Sequence, residues 1–397
     1  MFDHVTPYAG DPILSLMETF LKDERADKVN LSIGLYYDEA GKIPTLPSVK
    51  EAKAAVNNAQ EQPCIYLPME GLAPYRESVQ ALVFGDDHPA RKENRIATIQ
   101  TLGGSGALMI GADFLHHYFP ESQAWLSKPT WENHQAILNG AGIKTHDYPY
   151  FDADTRGLDF DSMLNKIDSL PAQSIVLLHA CCHNPTGVDL DTEQWDKVIA
   201  VIKQRGLIAF FDMAYQGFGD SLAEDAYAIR QMAKDPALSF FVANSFSKIF
   251  SLYGERVGGL SVVCQNEEAA TRVLGQLKAT VRRNYSSPAK YGAVLVNQVL
   301  GNSTFNQQWQ DEVSNMRERI TLMRYALYAK LELLRPDGDY KFLIEQKGMF
   351  SYTGFTSAQV DTLRDEHGIY LIASGRMCVA GLNENNIDHV AKAFAAL

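Results

Sequence analysis

The sequence has no apolar run of membrane-spanning length and no run of lysines or arginines. A transmembrane helix needs roughly 18–20 apolar residues in succession, so we expect no membrane span. The opening residues, Met-Phe-Asp-His-Val-Thr, lack the basic and apolar regions of a signal peptide, which predicts a cytoplasmic protein. The formal net charge is −12. An acidic chain without a basic patch is a poor binder of nucleic acid or membranes.

Cysteine is scarce, with 5 in 397 residues and no CxxC pair. This excludes a disulfide framework and a cysteine-rich metal site, and we predict no metal. We interpret the adjacent Cys181 and Cys182 as reduced thiols at the end of a buried strand, because free cysteine usually behaves as a small buried hydrophobe. Internal repeats, low-complexity tracts and Pro/Ser-rich linkers are also lacking.

What the sequence does contain is an alternation of short apolar strands with helices. Near-continuous apolar segments are typical of strands buried on both faces. Their alternation with helices predicts an α/β fold with a mostly parallel sheet between helices. The expected strands are residues 95–102, 174–180, 207–211 and 238–243; the expected helices are 107–119 and a helix from a capping box at 191–194 to Gly206.

The pattern changes near residue 310, and a chain of 397 residues exceeds the size of a single hydrophobic core. A second α/β unit is predicted there, joined by the N-terminal segment through a short strand at 29–33. We expect an N-terminal arm with part of the small domain at 1–44, a large domain at 45–309 and a small C-terminal domain at 310–397. The elements expected in the second unit are a long helix at 309–334, a strand at 349–352, a helix at 357–366, a strand at 369–373 and a final helix.

Residues able to do chemistry gather where the predicted strands end. In open α/β sheets ligands bind beyond the carboxyl ends of the strands, so a site is expected at this edge. These residues are Gly103–Gly106, Trp131, Asn184, Asp212 and Lys248.

The stretch 103–106 (GGSG) lies between a strand and an apolar helix. Glycines let the backbone approach an anion, and the first turn of a helix favours a phosphate. The pattern is neither GxGxxG nor GxxxxGK[ST], which disfavours dinucleotides and nucleoside triphosphates. Taken alone, a plain tight turn explains it equally well.

Lys248 and Asp212 each follow a buried strand. A lysine in an apolar setting can lose its proton and act as an amine nucleophile, and Ser245, Ser247 and Arg256 nearby suit a phosphate ester. Taken by itself, Lys248 would be interpreted as a solvated loop lysine. Asp212 needs a cationic partner or donors, because an unpaired buried carboxylate is costly. A protonated pyridine nitrogen would serve, and backbone amides are the alternative.

Three further residues have two interpretations each. Asn184 lies in 183–187 (HNPTG). The turn signals alone can explain this motif. Alternatively, the Asn184 amide donates a hydrogen bond to a ring hydroxyl. Trp131 could stack on an aromatic ring or simply fill the core. Arg376 offers a planar fork suited to a substrate carboxylate, or it forms a surface ion pair.

Together these motifs resemble the class I aminotransferases of fold type I, above all their bacterial aromatic-amino-acid branch. The resemblance is collinear across nearly the whole chain. It is carried by residues 66–71 (YLPMEG), 103–106 (GGSG), 183–187 (HNPTG), 212–217 (DMAYQG), 245–256 (SFSKIFSLYGER) and 373–376 (ASGR).

The resemblance implies pyridoxal 5′-phosphate (PLP) bound as a Schiff base to Lys248, in a large domain with a seven-stranded sheet. It implies that Lys248 also shuttles a proton between the substrate α-carbon and the cofactor. Asp212 would pair with the pyridinium nitrogen, supported by His134. Tyr215 and Asn184 would bond the 3′-oxygen, and Trp131 would stack on the ring. The phosphate would be held by Gly104, Ser105, Ser245 and Arg256, with Ser247 as a helper.

For the substrate, the resemblance implies that Arg376 binds the α-carboxylate beside Gly34. It also implies a homodimer with shared active sites, in which Tyr66 reaches the neighbour's phosphate and Arg282 the distal carboxylate of a dicarboxylic substrate. The implied substrate-binding set is Gly34, Tyr66, Trp131, Asn184, Arg282 and Arg376.

The lining of the pocket bears on substrate choice. Aliphatic and small hydroxyl residues match the aromatic branch, and an apolar lining favours a phenyl or phenol side chain. Ordinary core packing is the alternative for the aliphatic positions. Ala289 departs from the family pattern, because relatives often carry a second proline at this position. The difference concerns the backbone after Arg282. The matching positions are Leu35, Tyr37, Ile43, Ile65, Ser105 and Ser287.

We therefore predict transamination of tyrosine and phenylalanine with 2-oxoglutarate by a ping-pong mechanism, with side activity on aspartate. An aspartate aminotransferase is the alternative. A PLP lyase or decarboxylase is disfavoured because two arginine clamps suit a dicarboxylic amino acceptor. A regulator with an aminotransferase-like sensor domain is disfavoured by the lack of a basic DNA-binding module.

Overall fold

The computed structural model describes residues 1–7, 10, 12–58 and 65–397, apart from the side chains of 12–14. The chain divides into two compact units, Pro44–Glu318 and Met1–Ile43 with Arg319–Leu397. The second boundary falls inside a long helix, Ser303–Leu334. The limits 1–44, 45–309 and 310–397 stay a prediction. Among the described residues, no helix is long and apolar enough to cross a membrane.

Strands and helices alternate through both units. The strands are β1 (Val29–Asn30), β2 (Ile96–Leu102), β3 (Ala124–Lys128), β4 (Thr145–Pro149), β5 (Phe151–Asp152), β6 (Gly157–Leu158), β7 (Ile175–His179), β8 (Ile208–Met213), β9 (Phe240–Ser245), β10 (Val257–Val263), β11 (Phe350–Tyr352), β12 (Ile369–Tyr370) and β13 (Arg376–Cys378). The helices are α1 (Pro12–Lys22), α2 (Pro47–Asn58), α3 (Ala73–Phe84), α4 (Pro89–Lys92), α5 (Gly103–Tyr118), α6 (Glu132–Gly140), α7 (Phe160–Asp168), α8 (Thr192–Arg205), α9 (Tyr227–Ala233), α10 (Glu267–Asn284), α11 (Tyr291–Leu300), α12 (Ser303–Leu334), α13 (Phe342–Glu345), α14 (Ser357–His367) and α15 (Ile387–Ala395).

The larger unit is built on a seven-stranded sheet in the order β2-β10-β9-β8-β7-β3-β4. β10 is antiparallel to both of its neighbours, and the other neighbouring strands are parallel. Helices α3, α5 and α10 pack against its strands. The predicted α/β class, with a mostly parallel seven-stranded sheet between helices, is confirmed.

The core of this sheet follows from the apolar strands. Every residue of β7, β8 and β9 is buried, as expected for parallel strands covered on both faces. Cys181 and Cys182 follow β7 as buried, reduced thiols, as predicted. Cys64 lies outside the described residues. The capping box of α8, with Asp191 at its N-cap, and the left-handed Gly206 at its end are also confirmed.

One predicted helix boundary was wrong. The glycine-rich stretch was expected to be a turn before a helix starting at 107, but α5 begins at Gly103 itself. Gly103 has φ of +70°, a conformation that L side chains rarely adopt. The chain therefore turns directly from β2 into the helix, and the glycines form its first turn.

The smaller unit joins the two ends of the chain. β1 pairs in parallel with β12, with Val29 opposite Ile369 and Asn30 opposite Tyr370. β11 and β13 form a separate antiparallel pair. The N-terminal segment therefore belongs with the C-terminal elements, as the sequence predicts. The strand expected at 369–373 is shorter, ending at Tyr370.

Candidate active site

Lys248, Tyr215 and Asp212 come together at the carboxyl edge of the large sheet. Asp212 lies near the end of β8, and Lys248 follows the end of β9, the next strand. The Nζ atom of Lys248 lies 5.1 Å from the centre of the Tyr215 ring. The charge of Lys248 contributes to lowering the pKa of Asp212. The structure thus places an amine, a phenol and a carboxylate in one cluster.

Asp212 is 8% exposed, and its carboxylate is kept ionised by a neighbour. Burial alone raises the pKa of Asp212, but the hydrogen bond and charge of His134, together with further neighbouring charges, outweigh it, so the net shift is downward. Nε2 of His134 lies 2.9 Å from Oδ2 of Asp212. Nδ1 of His134 lies 2.9 Å from Oγ1 of Thr130, which fixes the ring. The predicted support of Asp212 by His134 has this geometry.

His179 is a further member of the cluster that no sequence motif indicated. It ends β7 and pairs in register with Asp212, and its ring centre lies 5.1 Å from that of His134. Burial, with the charge of His134 adding to it, lowers the pKa of His179 to about 3. Among the described residues neither ring nitrogen of His179 has a hydrogen-bond partner. Only the register of β7 against β8 could have pointed to it.

Asn184 and Trp131 follow β7 and β3, two further strands of the same sheet. Asn184 is 5% exposed and precedes Pro185 through a cis peptide bond. The turn before it is held by Asp189, whose carboxylate accepts the backbone N–H of His183 at 2.8 Å. Trp131 is the N-cap residue of α6 and meets the ring of His134 edge-on at 5.2 Å. The ring of Trp131 is therefore placed beside His134, the hydrogen-bond partner of Asp212.

The predicted phosphate-binding residues form a cradle between β9, β10 and the start of α5. A Cβ atom added to Gly103 would lie 2.5 Å from Nη2 of Arg256. A Cβ atom added to Gly104 would lie 3.2 Å from Cβ of Ser245. The lack of a side chain at both positions lets the first turn of α5 come this close to the guanidinium and to Ser245. A concave set of donors at a helix N-terminus fits a phosphate.

Ser247 completes the cradle. Arg256 donates from Nη1 to Oγ of Ser247 at 3.2 Å, and Ser245 donates from its hydroxyl to the same oxygen at 3.2 Å. Ser105 lies in the first turn of α5 and is partly buried. Two hydroxyls and a guanidinium in mutual contact give a site of positive charge and several donors. Together with the Lys248 and Asp212 cluster, these residues fit a phosphorylated pyridine aldehyde.

Arg376 and Gly34 lie in the smaller unit. Arg376 is 5% exposed and donates from Nη2 to the carbonyl of Ser32 at 2.7 Å. Its guanidinium carbon lies 4.5 Å from the centre of the Phe350 ring. A Cβ atom added to Gly34 would lie 2.8 Å from Cζ of the same ring. The structure thus brings Gly34 and Arg376 together around Phe350.

Tyr66 and Arg282 are not brought into the cofactor cluster of their own chain. The side chain of Tyr66 is 90% exposed. Arg282 is exposed on the last turn of α10 and bonds the hydroxyl of Ser286. Ile43 and Ile65 are 45% and 69% exposed, so they are not core residues of a single chain. The remaining specificity positions, Leu35, Tyr37 and Ser287, are partly buried.

Comparison with known proteins identifies the family. Residues 26–394 match the model of aminotransferase class I and II. The chain is 59% identical to a tyrosine aminotransferase of Klebsiella pneumoniae and 60% identical to an aromatic-amino-acid aminotransferase of Escherichia coli K12, each over 397 residues and all of both chains. A crystal structure of an aromatic-amino-acid aminotransferase of Burkholderia pseudomallei, covalently bound to pyridoxal phosphate, has a TM-score of 0.98, 49% identity and coverage of 100% of this chain and 99% of that one. The chain belongs to the class I and II aminotransferases.

Proposed function

We propose that this chain transaminates aromatic amino acids, tyrosine and phenylalanine foremost, with 2-oxoglutarate as the amino acceptor and PLP as cofactor. The observation that carries the proposal is the cluster of Lys248, Tyr215 and Asp212 beside a phosphate cradle. When bound, PLP supplies an electron-accepting ring that takes up the amino group of one substrate and passes it to the next.

The residues of the larger unit provide the proton chemistry. The Nζ atom of Lys248 is the amine that carries the cofactor and, once released by substrate, moves the proton from the substrate α-carbon. Asp212, kept ionised by His134, holds a proton on the ring nitrogen opposite. Tyr215 and Asn184 donate to the ring oxygen. Each of these side chains is at least partly buried, which limits the access of competing water.

The phosphate is held by Gly104, Ser105, Ser245, Ser247 and Arg256. A guanidinium and two hydroxyls in contact offer charge-assisted hydrogen bonds, the strongest available to a phosphate. The positive end of the 16-residue helix α5 adds to this attraction. These residues would hold the cofactor at its phosphate, and Asp212 would hold it at its ring nitrogen.

Substrate recognition needs two arginines. Arg376 presents a planar fork to the α-carboxylate that every substrate shares. Arg282 and Tyr66 are exposed in a single chain, which supports the proposal that they act in the site of a second copy, with Arg282 on the distal carboxylate of a dicarboxylic substrate. We propose a homodimer on this basis.

The preference for aromatic donors rests on the pocket residues and on the names of the similar proteins. Leu35, Ile43 and Ile65 offer apolar surface to a phenyl or phenol ring. The proteins at 59% and 60% identity are named tyrosine and aromatic-amino-acid aminotransferases. Arg282 equally admits dicarboxylates, so aspartate is a side substrate.

The test is a coupled assay of purified protein with tyrosine, phenylalanine and aspartate as donors to 2-oxoglutarate. We expect the aromatic donors to have the highest kcat/KM. A kcat/KM for aspartate about tenfold or more above both aromatic values, or 1.4 kcal/mol in transition-state binding, would establish an aspartate aminotransferase instead. Release of carbon dioxide, ammonia or sulfide without an oxo acid acceptor would point to a PLP lyase or decarboxylase.

A further inference from the structure

Gln100 bridges two segments of the larger unit through both ends of its side-chain amide. It lies in β2 and is 2% exposed. Its Nε2 donates to the carbonyl of Ala289 at 2.6 Å. Its Oε1 accepts the backbone N–H of Leu72 at 3.2 Å. One buried amide therefore connects the chain after Tyr66 with the chain after Arg282.

The first segment is pressed tightly onto Gln100. A turn closes between Pro68 and Gly71, whose N–H donates to the Pro68 carbonyl at 2.8 Å. The backbone N–H of Gln100 donates to the carbonyl of Glu70 at 2.9 Å. A Cβ atom at Gly71, where φ is +86°, would lie 2.3 Å from Cβ of Gln100. The turn that follows Tyr66 thus has its position set by contact with Gln100.

The second segment begins where α10 ends. Arg282 is on the last turn of α10, and the chain then passes through Ser286, with φ of +68°, to Ala289. Proline at 289 would fix the backbone φ angle, whereas alanine leaves it free. At Ala289 the hydrogen bond from Gln100 to the carbonyl takes over the restraint that a proline ring would provide. A partly buried ion pair of 3.2 Å between Glu70 and Lys278 links the first segment to α10, the helix that carries Arg282.

We propose that Gln100 is a positioning residue that keeps Tyr66 and Arg282 in one fixed relation, so that both reach the site of a second copy together. This rests on the proposed function, in which Tyr66 binds the neighbour's cofactor phosphate and Arg282 the distal carboxylate of dicarboxylic substrates. Loss of the side-chain amide removes one hydrogen bond from each segment at once. Small displacements of a binding group are costly because binding geometry is exacting.

The experiment compares two half-reactions in Gln100→Met, which keeps a similar length and removes both hydrogen bonds. The half-reaction of phenylalanine does not use a distal carboxylate, and the half-reaction of 2-oxoglutarate does. We expect the KM for 2-oxoglutarate to rise about tenfold and the cofactor to dissociate faster, with kcat for phenylalanine at saturating PLP little changed. Gln100→Asn, an amide one methylene shorter, should show the same pattern more weakly and serves if the methionine variant does not fold.

Thr98→Val is the matched control. Thr98 is 1% exposed, two residues before Gln100 on β2, and its hydroxyl lies 2.9 Å from that of Ser261. Its side-chain contacts lead to Ser261 and Gln80, not to either segment. We expect this variant to lower the melting temperature without altering the ratio of the two half-reactions.

Arg282→Ala separates the two possible failures. If Arg282→Ala raises the KM for 2-oxoglutarate and neither Gln100 variant does, the positioning role is wrong and the proposed function stands. If Arg282→Ala has no effect on 2-oxoglutarate, the proposed role of Arg282 fails, and the positioning role fails with it. An equal loss in both half-reactions for the Gln100 variants would show a merely structural residue and overturn the inference.

Discussion

His179 and Asp212 occupy paired positions at the carboxyl ends of the neighbouring strands β7 and β8. The ring of His179 is buried and lacks a hydrogen-bond partner among the described residues, so its protonated form is disfavoured. His134 is therefore the histidine that supports the carboxylate of Asp212, through a bond of 2.9 Å. A neutral His179 does not compete for the negative charge of Asp212, which the proposed function assigns to the ring nitrogen of the cofactor.

The buried His179 should make folding sensitive to pH. Its pKa in the folded chain is about 3, against 6.5 for an ordinary histidine. As the pH falls below 6.5, the unfolded chain binds a proton that the folded chain does not bind until about 3. Stability is therefore lost across this window, by about 1.4 kcal/mol per pH unit from this residue. His179→Leu should flatten the pH dependence of the unfolding free energy, measured by urea titration at several pH values between these limits.

The control for this prediction is His116→Gln. His116 is exposed on the last turn of α5, so its replacement should leave the slope unchanged. A His179→Leu protein that retains the full slope of the unsubstituted chain would show that His179 does not carry this effect.

Gly103 should be irreplaceable in the phosphate cradle. Its φ of +70° strains any L residue, and an added Cβ would lie 2.5 Å from Nη2 of Arg256. Gly103→Ala should therefore cost about 1 kcal/mol or more of stability and displace the guanidinium. The measurement is the rate at which PLP is lost on dilution, together with the melting temperature, and both should change.

Gly275→Ala is the matched control for Gly103→Ala. An added Cβ at Gly275, inside α10, meets nothing within 4 Å. Alanine there should stabilise the helix by roughly 0.5–1 kcal/mol without any effect on PLP retention. Equal retention of PLP in the two variants would contradict the cradle.

The meeting of some candidate site residues could be predicted because strand ends can be located from apolar runs. Lys248 and Asp212 stand out as polar residues that follow such runs, so their meeting at one edge follows from parallel pairing alone. The position of His179 could not be predicted in this way, because its pairing with Asp212 depends on the register of β7 against β8. The bridge by Gln100 could not be predicted from the sequence either, because one of its hydrogen bonds spans 189 positions, from Gln100 to Ala289. Side-chain contacts of that range have no local sequence signal.

Lys248→Ala should abolish the covalent link to the cofactor. Without the Nζ amine, neither the Schiff base nor the proton transfer at the substrate α-carbon can proceed, and turnover should fall by at least about a thousandfold. Borohydride should no longer attach the cofactor to the chain, as judged by the mass of the intact protein. Lys234→Ala, at an exposed lysine of the same unit that bonds Gln231, is the control and should retain both properties.

In the proposed function Arg376 binds the substrate α-carboxylate. Variants in its cluster with Gly34 and Phe350 can test this role separately from recognition of the substrate side chain. The guanidinium carbon of Arg376 lies 4.5 Å from the centre of the Phe350 ring, and because both residues are buried this cation–π contact contributes about 1–2 kcal/mol. Phe350→Leu should therefore raise the KM of every substrate by roughly five- to thirtyfold, because all of them share the α-carboxylate. Gly34→Ala, whose Cβ would lie 2.8 Å from Cζ of that ring, should act in the same direction by displacing it.

The measurement is the KM of phenylalanine, aspartate and 2-oxoglutarate for both variants. A similar rise of KM for all three substrates would indicate an effect through Arg376, because residues that contact only one kind of substrate side chain cannot produce it. A rise confined to the dicarboxylates would instead assign the effect to Arg282, and a rise confined to phenylalanine would mean that Phe350 touches the aromatic ring of the substrate. If Phe350 and Gly34 only orient the guanidinium of Arg376, kcat should change less than KM in both variants.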